Sequence, residues 1–281
     1  MSTTGFSRLQ ALQAWFEARE PMAIAVSGGV DSMTLAVVAH RIQPETQVFH
    51  ALSPAVPSQA TERVREYAAR EGWNLTLIDA GEMQDENYLA NPANRCYFCK
   101  TNLYETVTAH TPLRVGSGTN TDDLADYRPG LQAAAENQVC HPYVEVGISK
   151  AELREIAAEM GLDDLKDLPA SPCLSSRVQT GIAIDAALLP LVNEAEQLAM
   201  RHLSRVMSDV QGVRCRILPG EVTLQVDTPS ALDMDDPRFA QPLELIRRLF
   251  AEAGYASQVA RVRVEPYRRG SAFLIETLEV S

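Results

Sequence analysis

The sequence predicts an α/β protein in which a parallel sheet is followed by a smaller α/β domain. Up to about residue 180, short apolar strands alternate with helices of about 10–15 residues, the pattern of a parallel sheet. After residue 180, a long helix leads into strand-like runs joined by a Pro219-Gly220 turn. The length of 281 residues accommodates both parts. We therefore predict two domains, 1–180 and 181–281.

Hydrophobic spacing predicts the elements of the first domain. Apolar residues at helical spacing predict helices over 7–19, 32–42 and about 59–71. Short apolar runs predict strands over 22–26, 47–52, 75–78 and 114–118. The strand at 22–26 runs directly into a glycine-rich turn, so a helix should begin just beyond that turn.

The second domain is predicted in the same way. Helices are expected over 185–206 and 240–253, and strands over 213–218, 221–227, about 258–264 and 272–278. Because Pro219-Gly220 separates the first two strands, these should form a hairpin.

Composition narrows the class of protein. The chain is 46% hydrophobic, which excludes a disordered class, and no apolar run approaches the roughly 20 residues that span a bilayer. Charges interrupt its first 20 residues, so we expect no signal peptide, no membrane partner and a cytoplasmic location. Acidic residues outnumber basic ones by 37 to 25, for a net charge of −12. Such an acidic chain is a poor general binder of nucleic acid.

The glycine-rich turn reads Ser27-Gly-Gly-Val-Asp-Ser32 and lies between a strand and a helix. Backbone N–H groups at a helix start attract anions, and Gly28 and Gly29 let the chain approach phosphate oxygens closely. Ser27 and Ser32 can add hydroxyl donors. The turn lacks the lysine of a Walker loop. The alternative is an ordinary glycine-rich turn.

This hexapeptide resembles the signature of the PP-loop ATP pyrophosphatases, which cleave ATP between the α- and β-phosphates. The resemblance implies a Rossmann-like parallel sheet, a loop that holds pyrophosphate, and an Asp31 that organises Mg²⁺. It also implies that the loop from Gly118 lies across the strand ends. Asp122 and Asp123 of that loop are candidate magnesium ligands, because Mg²⁺ prefers carboxylate oxygens; a solvated turn is the alternative.

The chain has five cysteines, an odd number, and we expect it in a reducing compartment. Both points favour metal or catalytic use of the cysteines over disulfides. The C-x-x-C pair of Cys96 and Cys99 could be half of a zinc site, a redox pair or a pair of iron–sulfur ligands. With Cys173, three thiolates suit a [4Fe–4S] cluster with one open iron. Cys140, next to His141, could complete a zinc site. Otherwise Cys140 and Cys215, in apolar surroundings, are expected to be buried thiols.

Three longer stretches, 91–101, 118–130 and 169–177, resemble the LarE-type sulfurtransferases, and with the loop the likeness covers most of residues 20–200. That family adenylates a carboxylate of pyridinium-3,5-biscarboxylic acid mononucleotide and converts it to a thiocarboxylate for a nickel-pincer cofactor. In one branch a single cysteine gives up its own sulfur. In the other, three cysteines hold a [4Fe–4S] cluster that carries a transferable sulfide. Cys96, Cys99 and Cys173 match the second branch, and Cys173 has the sacrificial position of the first.

Several charged residues are candidates for substrate or nucleotide contacts. Lys100, Arg128 and Arg177 lie in the matched stretches and could contact phosphate or carboxylate, or be solvated charges. Arg214 and Arg216 should share one face of a strand and could clamp a phosphate monoester, as a similar Arg-x-Arg pair does in the family. Glu196 matches an acidic position that the family uses at its active site; an exposed helix glutamate is the alternative.

The resemblance therefore implies an ATP-dependent sulfurtransferase that uses ATP, Mg²⁺ and a [4Fe–4S] cluster on a small nucleotide-like carboxylate. The second domain would bind substrate phosphate and form contacts in a homo-oligomer. One alternative is a tRNA thiolase of the same superfamily, which the acidic charge disfavours. Another is a regulatory protein that binds nucleotide or cluster without turnover, because residues 217–221 and 267–271 depart from the family's pattern.

Overall fold

The computed structural model describes residues 7–125, 128–257 and 259–268. The chain forms two compact units: Met1–Tyr88 with Asn94–Ser171, and Leu89–Ala93 with Pro172–Ser281. The roles predicted for the domains 1–180 and 181–281 stay predictions. The predicted strand at 272–278 and most of the 267–271 stretch lie outside the described residues.

The first unit is built on a four-stranded parallel sheet, which confirms the α/β prediction. Its strands are β1 Ala23–Ala25, β2 Gln47–Ala51, β3 Asn74–Ile78 and β4 Val115–Ser117. Their order is β3-β2-β1-β4, and every neighbouring pair is parallel. Because β1 lies between β2 and β4, all three of its residues are buried.

Nine α-helices are described in the first part of the chain. They are α1 Arg8–Glu17, α2 Val30–Ile42, α3 Ser58–Glu71, α4 Glu86–Leu89, α5 Arg95–His110, α6 Pro129–Glu136, α7 Pro142–Val146, α8 Lys150–Glu159 and α9 Asp163–Lys166. Side chains alternate along β1, so Ile24 packs in a core with α1, α2 and α8, whereas Ala23 packs in another with α5 and α6. The predicted helix at 32–42 begins earlier, at Val30, inside the glycine-rich motif. None of the described helices combines the length and apolar character needed to cross a membrane.

The second unit contains a three-stranded sheet and two further helices. The elements are α10 Leu188–Val206, β5 Gly212–Leu218, β6 Glu221–Asp227, α11 Ala240–Glu252 and β7 Arg261–Pro266. β5 and β6 form the predicted antiparallel hairpin, with Gly220 at a φ of 66° in its turn. β7 begins later than predicted and pairs parallel with β6.

A short segment, Leu89–Ala93, also belongs to the second unit. Its residue Asn91 is fully buried and has a φ of 54°. The side-chain amide of Asn91 donates to the carbonyl oxygens of Gln179 and Ile182, both at 2.8 Å. The backbone N–H of Gly181 donates to the Asn91 carbonyl at 2.9 Å. These bonds tie the segment to the chain that follows Cys173.

Candidate active site

The order of the first sheet creates a crevice between β1 and β4. The chain passes from β1 to β2 on one side, whereas β4 is added on the other, so the strand order reverses between β1 and β4. Ligands of open α/β sheets bind at such a point, outside the carboxyl ends of the strands. The Ser27–Ser32 loop follows β1 and the Gly118–Asp123 loop follows β4, and Ala25 pairs with Ser117 at the two strand ends. The two predicted loops therefore meet.

The Ser27–Ser32 loop is shaped by its neighbours to present its backbone. Gly28 has a φ of 79°, and a Cβ there would lie 2.7 Å from the carbonyl oxygen of Ala60 in α3. Arg63 of α3 donates to the Gly28 carbonyl at 2.7 Å. Within the loop, the backbone N–H of Ser27 donates to the Ser32 hydroxyl at 3.0 Å. α3 thus holds the loop in its turn.

This loop fits an anion. α2 starts with Gly29 as its N-cap, and among the described residues no side chain caps it. The first N–H groups of α2 have no acceptor within the helix, so they and the helix dipole favour a phosphate oxygen at this end. Gly118 closes the other side, because a Cβ there would lie 2.7 Å from the backbone nitrogen of Ser32. The geometry suits the phosphates of a nucleotide.

Asp31 lies in a network that the sequence did not predict. The ammonium of Lys150 lies 2.6 and 2.5 Å from its two carboxylate oxygens. The Asn120 side-chain amide donates to Asp31 Oδ1 at 3.2 Å. The Tyr143 hydroxyl donates to the Asp31 main-chain carbonyl at 3.1 Å. Burial, followed by the charge of Asp31, raises the pKa of Tyr143 well above its usual range, so this hydroxyl stays a donor.

Lys150 is the main residue that sequence reasoning missed. It is one of three lysines and follows Ser149, which forms a capping box with Glu152. That box marks a helix start, and a cation at a helix start is unusual because the dipole disfavours it. This combination marks Lys150 as a candidate functional residue, but nothing in the sequence indicates that its side chain reaches Asp31.

Asp122 and Asp123, in the loop that follows β4, both interact with other residues of the chain. They lie in a short 3-10 helix, Thr121–Leu124, capped by Asn120. Asp122 accepts from the backbone N–H of Lys150 at 3.2 Å. Asp123 forms an ion pair with Arg128 at 2.7 Å, so two residues predicted for different roles are partners. Their roles in binding magnesium and phosphate stay predictions.

The cysteines lie in both units. Cys96 and Cys99 are half-buried near the start of α5, three residues apart and hence on one face. Next to them, the Lys100 ammonium lies 5.7 Å from the centre of the Tyr104 ring. Cys173 is half-buried in the second unit. Among the described residues, no three His, Cys, Asp or Glu side chains are gathered to hold a metal ion.

The other two cysteines are buried thiols, as predicted. Cys140 is 3% exposed and Cys215 is fully buried. Burial raises the pKa of Cys140 to about 11 and raises that of Cys215 further. Both stay protonated, and a thiol is a weak nucleophile and metal ligand.

Three arginines and Glu196 are clustered in the second unit. Arg177 ends a 3-10 helix, Leu174–Arg177, that follows Cys173 directly, and it is 2% exposed. Its guanidinium donates to both carboxylate oxygens of Glu196, at 2.8 and 2.9 Å, and to the Pro172 carbonyl at 2.7 Å. Glu196 Oε1 also accepts from the backbone N–H of Cys215 at 2.9 Å. Glu196 thus links the 3-10 helix that follows Cys173 to β5.

Arg214 and Arg216 share one face of β5, as strand periodicity predicts. Arg216 donates to Gln225 at 3.0 Å and to the Ser176 carbonyl at 2.7 Å. Burial, followed by the charge of Arg177, lowers the pKa of both arginines. A negatively charged ligand would offset the repulsion from Arg177. The cluster therefore suits a phosphate group.

Comparison with known proteins gives a close and a distant relation. No family model matches the chain. It is 38% identical over 226 residues to the uncharacterized protein slr1717 of Synechocystis, a match that covers 77% of this chain and 83% of that protein. It is 28% identical over 184 residues to the uncharacterized protein MJ0830 of Methanocaldococcus jannaschii, covering 64% and 69%.

The chain is also distantly similar to a protein whose name states its reaction product. The chain is 24% identical over 180 residues to the pyridinium-3,5-bisthiocarboxylic acid mononucleotide synthase of Lactiplantibacillus plantarum. That match covers 62% of this chain and 65% of the synthase.

Proposed function

The chain belongs to the same family as the Synechocystis protein slr1717, and we propose from its distant likeness to the Lactiplantibacillus synthase that it is a LarE-like, ATP-dependent sulfurtransferase. Its product would be a thiocarboxylate used in nickel-pincer cofactor biosynthesis. The observation that carries the proposal is the Ser27–Ser32 loop. Its backbone can bind an anion at the end of β1, where the strand order of the first sheet reverses. Such a loop suits a reaction that releases pyrophosphate.

The proposed reaction has two steps. A carboxylate oxygen of the substrate bonds to the α-phosphorus of ATP, and pyrophosphate leaves. A sulfur nucleophile then attacks the activated carboxyl carbon, and AMP leaves with the oxygen. Mg²⁺, held with Asp31, would neutralise charge on the phosphates. The chain's own part is to bind pyrophosphate at the start of α2 and to hold the sulfur atom near the carboxyl carbon.

The substrate is proposed to be pyridinium-3,5-biscarboxylic acid mononucleotide. Its phosphate would bind the cluster of Arg177, Arg214 and Arg216, whose burial and mutual repulsion favour an anion. In this proposal Glu196 positions Arg177, because Arg177 and the Cys215 N–H already occupy its carboxylate. Cys173 lies at the start of the same segment and is a candidate source of the sulfur.

The sulfur atom has two candidate sources. Cys173 could give up its own sulfur, or Cys96, Cys99 and Cys173 could hold a [4Fe–4S] cluster that carries sulfide. The cluster stays a prediction from the three cysteines.

The function is tested by incubating the full chain anaerobically with ATP, Mg²⁺ and the pyridinium biscarboxylate nucleotide. We expect AMP and pyrophosphate to form only when the nucleotide is present, and mass spectrometry to detect a product with sulfur in place of oxygen. Asp31→Ala should abolish pyrophosphate release. Binding of ATP without turnover would support a regulatory protein instead, and turnover with tRNA alone would support a thiolase.

The sulfur source is tested on the same samples. If Cys173 is sacrificed, the intact protein loses the mass of hydrogen sulfide after one turnover. If a cluster carries the sulfur, anaerobic protein contains iron and sulfide, Cys99→Ala loses both, and the buried Cys140→Ala keeps both. Zinc in their place would overturn the cluster prediction.

A further inference from the structure

Two side chains from neighbouring elements bind backbone carbonyls in and next to the Ser27–Ser32 loop. The buried His50 of β2 donates from Nδ1 to the Val26 carbonyl at 2.9 Å, because a carbonyl oxygen can only accept. Arg63 of α3 donates from Nη1 to the Gly28 carbonyl at 2.7 Å. The two carbonyls are therefore held toward β2 and α3.

These bonds determine where the N–H group of each peptide points. In a trans peptide the C=O and N–H bonds point in opposite directions. The peptide after Val26 directs the Ser27 N–H toward the Ser32 hydroxyl, at 3.0 Å. The peptide after Gly28 directs the Gly29 N–H toward Ser27 Oγ, at 3.4 Å. Both N–H groups therefore point into the loop, toward two hydroxyls that lie 3.2 Å apart.

The Gly29 N–H is the donor of this pair that an anion can use. Its bond to Ser27 Oγ is 3.4 Å long, beyond the usual range for N–H donors. Gly29 is also the N-cap of α2, at the positive end of the helix dipole. An anion at this point would replace a weak hydrogen bond with a charge-assisted one.

Arg63 adds charge to this arrangement from the far side of the peptide. Among the described residues, the Gly28 carbonyl is the one hydrogen-bond partner of its guanidinium, and no carboxylate pairs with it. A cation on a peptide oxygen makes the N–H of the same peptide a stronger donor, because linked hydrogen bonds polarise one another. Arg63 therefore acts on the anion site through the Gly28–Gly29 peptide.

On the basis of the proposed function, in which the loop binds pyrophosphate, we propose that Arg63 is a positioning residue for that anion. It holds the Gly28 carbonyl on the α3 side and so presents a fixed, polarised Gly29 N–H to a phosphate oxygen. Without this cation the Gly28–Gly29 peptide is free to rotate, and the anion loses a donor.

The first test is isothermal titration calorimetry of the full chain with magnesium pyrophosphate. Arg63→Met should weaken binding about tenfold, the loss of one hydrogen bond to a charged group. Arg63→Lys should regain part of that loss, because an ammonium can still donate to the carbonyl. Arg65→Met is the matched control, since it removes one positive charge from an exposed position of the same helix. It should change the affinity less than about twofold.

The second test separates positioning from a general loss of structure. In ligand-free protein with isotope-labelled glycine, the amide nitrogen of Gly29 reports by NMR on the hydrogen bond to the preceding carbonyl. Its signal should shift in Arg63→Met but not in Arg65→Met. The signals of Gly81 and Gly161, in other turns of the first unit, should stay in place and so report a folded variant.

The outcomes distinguish the role of Arg63 from the proposed function. If wild-type protein binds pyrophosphate and Arg63→Met binds it equally well, the role of Arg63 is wrong and the proposed function stands. An unchanged Gly29 signal, an equal loss of affinity in Arg65→Met, or equal shifts at Gly81 and Gly161 would also overturn that role. If wild-type protein binds neither ATP nor pyrophosphate, the proposed function and the role of Arg63 both fail.

Discussion

Gly28 and Gly29 are neighbours with different structural requirements. Gly28 has a left-handed φ of 79°, and a Cβ there would lie 2.7 to 2.9 Å from three atoms of Ala60. Gly29 has a φ of −85°, which any residue can adopt, and the nearest atom to its Cβ would be Ser27 Oγ at 3.5 Å. The sequence motif contains both glycines, but only the structure shows that α3 excludes a side chain at the first.

We therefore expect Gly28→Ala to lower the free energy of unfolding by about 1–3 kcal/mol, from backbone strain and from the contact with α3. It should also weaken ATP binding, because the loop must shift. Gly29→Ala should cost less than about 1 kcal/mol. Denaturant unfolding and calorimetry of both variants provide the measurement. Equal losses for the two variants would contradict the assignment.

Glu196 shows how a residue's environment changes its interpretation. The sequence suggested a residue acting at the active site or an exposed helix glutamate. The structure instead gives it a buried partner, Arg177, 19 residues away. Removing one member of a buried pair leaves the other charge uncompensated, so a loss of activity in a Glu196 variant would not by itself show that Glu196 is catalytic.

Among the elements, α8 determines where Lys150 lies. It begins with a capping box in which the Glu152 carboxylate accepts from the backbone N–H and hydroxyl of Ser149, both at 2.8 Å. Arg8 of α1 donates to the same carboxylate at 2.7 Å. These bonds favour the ionised form and lower the pKa of Glu152 from 4.5 to about 2. Because the pKa of Glu152 is lower in the folded protein than in the unfolded chain, its ionised form stabilises the fold at pH values above the unfolded pKa. That stabilisation is lost as the pH falls toward the folded pKa.

Glu152→Gln should therefore cost about 1 kcal/mol at pH 7, the usual value of such a cap. The difference from wild type should shrink between pH 4.5 and about 2, because Glu152 becomes protonated in that range. Denaturant unfolding across this range measures it. Glu155→Gln, at an exposed position of the same helix, should have no effect at any pH. A difference between Glu152→Gln and wild type that does not depend on pH would contradict this account.

At the scale of the whole molecule, the Leu89–Ala93 segment belongs to the second unit although the first unit continues beyond it. Asn91 carries this connection, since its buried amide donates to Gln179 and Ile182. The chain therefore enters the second unit briefly before Cys96 and returns to it at Pro172.

Asn91→Ala should destabilise the second unit by about 1–3 kcal/mol, because buried carbonyl oxygens lose their donors. Hydrogen exchange should then become faster in peptides from 172–227 but remain unchanged in peptides from 22–51. Asn87→Ala, at an exposed position nearby, is the control and should change neither. Faster exchange in both sets of peptides would show that Asn91 does not act on the second unit selectively.

The sequence by itself determined the parallel sheet, the β5–β6 hairpin and the position of the Ser27–Ser32 loop. These depend on local periodicity and on turn residues, which act over a few positions. It also placed Arg214 and Arg216 on one face, since strand alternation is local. α2 begins at Val30, two residues before the predicted start, because its N-cap is a glycine inside the loop motif.

Only the tertiary structure decided the long-range partners: Lys150 with Asp31, Arg177 with Glu196, and Asn91 with the segment after Cys173. Such pairs depend on which strands become neighbours and on where each helix starts. The order β3-β2-β1-β4 brings the loops after β1 and β4 together, and the capping box of α8 then directs Lys150 toward them. No local pattern contains that information, because the contacts join residues far apart in sequence and form only when the sheet is assembled.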